Sequence, residues 1–260
     1  MKKILALVLA LVLVFSFTAC SEKTETSSSS DLQYIKDKGT LVIGITDYAP
    51  MNYKDANGNW TGFDTEFAKL VGEKLGVKVE FVEIEWSSKI MELDSKAIDC
   101  VWNGMTITDE VKNGMNVTKP YVVNAQVVVM AANKVGNYKT ANDLKGLKLV
   151  AEAGSAGEAA IADAGLTSTG VLTQADALME VSSGAADACV IDITMANAMT
   201  GAGTSYASLA SGLALTSEDY GIGFRKDSDV TAEVNKIIDE LIADGTLKAL
   251  ADKYELTLAE

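Results

Sequence analysis

The chain has 260 residues, 48% of them hydrophobic, which is enough for one large domain or two modest ones with real cores. Its 36 acidic residues against 22 basic ones give a formal charge of −14 with no basic face, so nucleic acid is not an expected partner. Histidine is absent, which excludes Ser-His and Cys-His relays and histidine-bound metals; no metal and no cofactor are expected.

Met1-Lys2-Lys3 followed by the apolar run Ile4 to Phe17 is a positive start and a hydrophobic stretch too short for a comfortable membrane span, the pattern of a secretory leader over residues 1–19. Phe17-Thr18-Ala19-Cys20 resembles a lipobox with phenylalanine in the usual leucine position, which makes Cys20 the candidate for lipidation, palmitate included. Residues 20–30, serine-rich and polar, read as a flexible tether. The expected arrangement is an exported domain at the extracellular face of the cell membrane, touching that membrane through its lipid anchor only.

From Asp31 the folded part begins. Leu32 and Ile35 predict a short helix before Gly39, and Leu41 to Ile45 a buried strand; Thr46 to Met51 is loop. Asp55-Ala56-Asn57-Gly58-Asn59 is turn chemistry, and Asp64 is expected to cap a helix whose core face is Phe67, Leu70, Val71 and Leu75. Val77 to Val82 alternates like a strand, and Trp86 to Lys96 reads as a helix with Ile90 and Leu93 inward. Ile98 to Trp102 is a buried strand expected to stop at an exposed Asn103-Gly104 turn, after which Thr108-Asp109-Glu110 opens a helix. A strand end, a turn and a helix N-terminus meeting at one point is where open α/β sheets bind ligands.

The second half repeats this grammar. Ala141 to Leu144 is a short helix, Leu147 to Ala151 a strand, and Gly154-Ser155-Ala156-Gly157 a strand-to-helix turn whose free N–H groups suit an anion. Gln174 to Val181 is helical, Ala188 to Asp192 is a strand ending in a carboxylate, and Val230 to Tyr254 is two helices broken at Asp244-Gly245-Thr246. Cys100 and Cys189 lie in separate apolar strand-like runs and read as core thiols.

Trp86-Ser87-Ser88-Lys89-Ile90-Met91-Glu92-Leu93, Ile98-Asp99 and Trp102 through Glu110, together with Tyr48-Ala49-Pro50 and Gly62-Phe63-Asp64, resemble the amino-acid-binding subunits of bacterial ABC importers, the family 3 solute-binding proteins. The similarity runs in order from Asp31 to Tyr254. It implies an α/β, two-lobed periplasmic-binding-protein-like fold of type II, each lobe a sheet flanked by helices, joined by two crossover strands. Lobe 1 is expected over residues 31–122 and 221–260, and lobe 2 over 123–220. The partners it implies are a small amino acid or amine-like ligand, caught in the cleft by hinge closure, and ABC permease and ATPase subunits, with the binding protein itself a monomer.

By the same resemblance Tyr48 and Trp86 wall the ligand, Asp192 pairs with its amino group, and Asn103, Gly104, Thr106 and Ser155 supply the remaining polar contacts. The match fails where the family keeps an arginine for the ligand's α-carboxylate, because this chain has Val111 there; Ala156 also removes a hydroxyl and Met51 replaces a phenylalanine. Lys112 is one residue on, about 100° around a helix, and should point elsewhere. Loss of a bidentate guanidinium contact costs on the order of 1.5–3 kcal/mol. The ligand is then an amino acid held weakly, a compound without an α-carboxylate, or nothing. The acids Asp47, Glu85, Glu152 and Glu158 near the motifs favour tolerance of a cation. An enzyme is not expected. The alternatives are an activity similar to that of cyclohexadienyl dehydratases, with Glu158 as the acid, and a ligand-sensing receptor domain.

Overall fold

The computed structural model describes residues 30–260; the expected leader, Cys20 and the tether up to residue 29 lie outside them. The chain runs α1 (Asp31–Lys38), β1 (Thr40–Ile45), β2 (Tyr53–Lys54), β3 (Trp60–Thr61), α2 (Phe63–Leu75), β4 (Lys78–Glu83), α3 (Lys89–Asp94), β5 (Cys100–Thr106), α4 (Asp109–Gly114), β6 (Asn116–Val117) and β7 (Val122–Asn124). It continues through β8 (Gln126–Ala131), β9 (Leu149–Glu152), α5 (Ala156–Asp163), β10 (Ser168–Val171), α6 (Gln174–Ser183), β11 (Ala188–Asp192), α7 (Ile193–Met199) and β12 (Leu209–Ala214), then returns by β13 (Glu218–Phe224) to α8 (Val230–Ala243) and α9 (Thr246–Lys253).

Two mixed sheets result, with strand orders β4-β1-β5-β13-β6 and β10-β9-β11-β8-β12. Each sheet is flanked by helices, so the chain forms the expected two-lobed α/β architecture. In the first lobe α2 buries Phe63, Phe67, Val71 and Leu75, spaced four apart so that one face meets the sheet, and α8 does the same with Val234, Ile237, Ile238 and Leu241. Cys100 and Cys189 are buried thiols in β5 and β11. The connecting strands lie side by side, β7 antiparallel to β13 with Asn124 opposite Glu218. Because these two strands hydrogen-bond to each other, the chain changes sheet at Ala125 and again in residues 215–217, a few positions away from cuts after 122 and 220.

Two local expectations are corrected. Gly62, with φ of 116°, is the N-cap of α2; Asp64 sits inside the first turn, buried, with its carboxylate turned to the Gly104 N–H at 2.6 Å. Asn103-Gly104 is not an exposed turn. β5 runs through it to Thr106, wholly buried, with β13 paired on either side, at Cys100-Val101 and at Met105-Thr106; Gly104 takes φ of +55° in the break between, where the register slips between Gly221 and Gly223.

Arg225, just past β13, ties the first lobe together from inside. Its guanidinium donates to Asp31 at 2.9 Å and to the Ile98 carbonyl at 2.8 Å and lies 3.4 Å from Asp99, whose other oxygen accepts from Lys38 and from the Val42 N–H. Arg225→Ala leaves one oxygen of the buried Asp99 without its partner and removes the cation between Asp99 and Asp31, so urea unfolding should show a loss of about 3–5 kcal/mol; a loss below about 1 kcal/mol would mean that the network is ornamental.

Candidate ligand-binding site

A cavity of about 300 Å³ lies between the lobes. Of the residues expected at the site, Trp86, Asn103, Gly104, Thr106, Ser155 and Asp192 line it. Tyr48 does not. The short bridge between Tyr48 and Asn52 turns its loop inward, and its ring lies against Gly104, where an added Cβ would come within 2.6 Å of Tyr48 Cε1. Its hydroxyl is 2.5 Å from Thr194 Oγ1 on α7 and hydrogen-bonded to Tyr220, so it joins the two lobes instead of walling the cavity.

The lining of the first lobe centres on Trp86 and Lys89. Trp86 opens a 3₁₀ turn that runs into α3, and Lys89, three residues on, comes round to the same face as Trp86 and Leu93. Lys89 is only 3% exposed. Its Nζ lies 5.2 Å from the centre of the Trp86 ring, donates to the Gly154 carbonyl of the other lobe at 3.0 Å and is 3.9 Å from Glu110 at the exposed rim. Burial holds the ammonium below its ordinary pKa, against the pull of Glu110 and Glu152. Val111, where the family has arginine, is buried in the same lining among Trp86, Leu93 and Met105, while Lys112 points out to solvent beside Asp109. A cation therefore reaches the cavity from a position that sequence comparison with the missing arginine does not indicate.

The second lobe contributes carboxylates. Asp192 stands where β11 meets α7, and Asn124 and Gln126 from the crossover and Gln174 from the start of α6 all donate to it; the Gln126 contact is 2.7 Å. Burial, with the charge of Glu218, pushes its pKa up to about 6, and hydrogen bonds from Gln174, Tyr220 and Gln126 pull it back. Glu218 binds the same two crossover amides and accepts from Thr106 Oγ1 at 2.7 Å, so the polar contact expected of Thr106 is already tied to the hinge strand. Ser155 caps α5, accepting the Glu158 N–H at 3.2 Å. Glu152, the last residue of β9, is buried on the cavity wall, and burial pushes it up to about 8. Asp47, Glu85 and Glu158 do not line the cavity; Glu158 accepts the Gly154 N–H at 2.8 Å instead. Among the described residues no group of three or more His, Cys, Asp or Glu could hold a metal ion, and no helix is long and apolar enough to cross a membrane.

The family of bacterial extracellular solute-binding proteins, family 3, matches residues 41–257. The chain belongs to that family. The L-cystine-binding protein TcyJ of Escherichia coli is 31% identical over 86% of this chain and 85% of its own length. A mutant of ArgBP from T. maritima superposes with a TM-score of 0.80 at 32% identity, covering 86% of this chain and 98% of the other. The ancestral amino acid-binding protein AncCDT-1, a precursor of cyclohexadienyl dehydratase, does so with a TM-score of 0.79 at 33% identity, covering 86% and 99%.

In this solute-binding protein Lys89, Glu110, Glu152 and Gln174 are among the lining residues beyond the expected site residues. Lys89 was within reach of periodicity: it is three residues after Trp86 and four before Leu93, on the face a helix turns inward. Gly104 links the cavity to the Tyr48 contact. An alanine there needs φ of +55° and collides with Tyr48 Cε1 at 2.6 Å and Tyr220 Cε2 at 3.2 Å, two rings pinned by hydroxyl hydrogen bonds. Gly104→Ala is expected to cost about 1–3 kcal/mol in urea unfolding; an unchanged midpoint would mean that the aromatic pair moves freely.

Proposed function

We propose that this solute-binding protein captures a free amino acid between its lobes and delivers it to an ABC importer, held at the outer face of the membrane by lipid on Cys20. One observation carries the reading: a buried ammonium on the first lobe, Lys89, and a buried carboxylate on the second, Asp192, line one cavity. An amino acid has one charge of each sign. Its carboxylate pairs with Lys89, helped by the N-terminus of α5 at Ser155-Ala156-Gly157, and its ammonium pairs with Asp192. Lys89 thereby does the work of the arginine that Val111 displaces, and the ligand needs no unusual chemistry. Trp86 packs along its body.

The two charges come from different lobes, so only closure brings both to the ligand, and the closed shape is what a permease can distinguish. The contacts from Lys89 to Gly154 and from Tyr48 to Thr194 are those a closed arrangement makes. The relatives named for L-cystine and arginine support an amino acid as ligand. A catalytic reading has less behind it, since Glu158 is engaged by the backbone and AncCDT-1 is itself an amino acid-binding protein.

Calorimetric titration with the twenty common L-amino acids tests this. At least one should bind with a dissociation constant at or below the micromolar range, and its decarboxylated amine should bind at least tenfold more weakly. Equal affinity for the amine would remove Lys89 from its role.

A further inference from the structure

Glu152 is not accounted for by a zwitterion. Its side chain is on the cavity wall and only 2% exposed, and its Oε1 has no hydrogen-bond partner among the described residues. Asp192 differs, because each of its oxygens is answered by a side-chain amide. A buried carboxyl oxygen is costly to leave unpaired, and this one belongs to a residue of the cavity wall, where an entering group can supply the missing partner.

We propose that Glu152 is a second anchor that takes a nitrogen on the ligand's side chain, so that the site selects amino acids with a cationic side chain over neutral ones of the same shape. This rests on the amino-acid reading above. With the α-carboxylate on Lys89 and the α-ammonium on Asp192, Glu152 is the remaining buried carboxyl on the wall that a third charged group can meet. The charges also balance. Lys89 against Glu152 and Asp192 leaves the buried lining one negative charge in excess when both acids are ionised, and a ligand with one net positive charge cancels it.

The groups that act on Glu152 come from several elements: Asp192 on β11 and Asp176 on α6 oppose its ionisation, and Lys89 on α3 and the Thr46 hydroxyl beyond β1 favour it. Burial outweighs them and keeps the empty site protonated up to about pH 8. A cationic side chain then binds with release of a proton. Its affinity rises from pH 6.5 to 8, by up to about tenfold per pH unit, whereas a neutral ligand gains nothing.

The test compares L-arginine with L-citrulline, which has the same length and shape without the charge, and L-lysine with L-norleucine, on wild-type protein and on Glu152→Gln. Wild-type protein should bind the cationic member at least tenfold more tightly at pH 8, and the advantage should shrink toward pH 6.5. Glu152→Gln should abolish both the advantage and the slope. The wild-type comparison does not depend on the variant folding. Equal affinity within each pair, binding of neutral amino acids alone, or an advantage that survives in folded Glu152→Gln would overturn the proposal while leaving amino-acid capture intact. Binding of no amino acid at all would overturn both.

Discussion

Lys89→Met should weaken amino-acid binding by roughly 30-fold to several thousandfold, the 2–5 kcal/mol typical of truncating one partner of a buried charge pair. The fold should be unaffected. Methionine keeps the length of the stem against Trp86, and burial already disfavours the ammonium, so an apolar replacement is neutral or mildly stabilising in the empty protein. Loss of charge and loss of packing are then separated by a second change. Val111 lines the same cavity, and an arginine there restores the family's arrangement, so V111R on the Lys89→Met background should recover most of the lost affinity. Calorimetry on the two variants reads this directly. If Lys89→Met binds like the wild type, the lysine is a latch between the lobes through Gly154 and touches no ligand.

Asp192→Asn is expected to damage both binding and stability, for one physical reason. The carboxylate accepts from Asn124, Gln126 and Gln174; an asparagine amide must turn its NH₂ toward at least one of those donors, leaving a buried donor facing a donor. Such a mismatch costs about 1–3 kcal/mol of stability, and removing the counter-charge of the ligand ammonium should lower affinity well beyond tenfold. The pH dependence has a definite sign. The unfolded chain ionises this aspartate near 3.8 and the folded, empty protein only near 6, so the stability contributed by the neutral form is present below 3.8 and lost as pH rises through 6. Binding runs the other way, since the ammonium needs the carboxylate ionised, and affinity should fall as pH drops below about 6. Thermal unfolding with and without amino acid across pH 4–8 would reveal both slopes; an Asp192→Asn protein with wild-type affinity would remove it from the site.

Much of this was readable from the residues alone, where hydrophobic patterning decides. The apolar runs at Leu41–Ile45 and Ala188–Asp192 became buried strands, and the four-residue spacing of Phe67, Val71 and Leu75 became the inner face of α2. Local signals failed where a distant partner overrode them. Asn103-Gly104 has turn chemistry, yet β13, more than a hundred residues later, pairs with the residues on both sides of it and keeps the chain extended through the irregularity. Asp64 has the chemistry of a cap, yet the Gly104 N–H claims its carboxylate. Tyr48 in a proline loop looks available to a ligand; only the absence of a Cβ at Gly104 and the position of Thr194 on the other lobe show why it is buried. Lys89 was hidden for another reason. A cation on an inward helical face reads as solvated unless the face has something to bind, and the cavity supplies that.

Closure on an amino acid is the centre of the account, and a crystal structure of the protein with a bound amino acid tests it most directly. The ligand should lie in the interlobe cavity with a carboxylate oxygen about 2.7–3.0 Å from Lys89 Nζ and its α-nitrogen at similar distance from an oxygen of Asp192. A ligand held with its carboxylate turned away from Lys89, or bound outside that cavity, would contradict it.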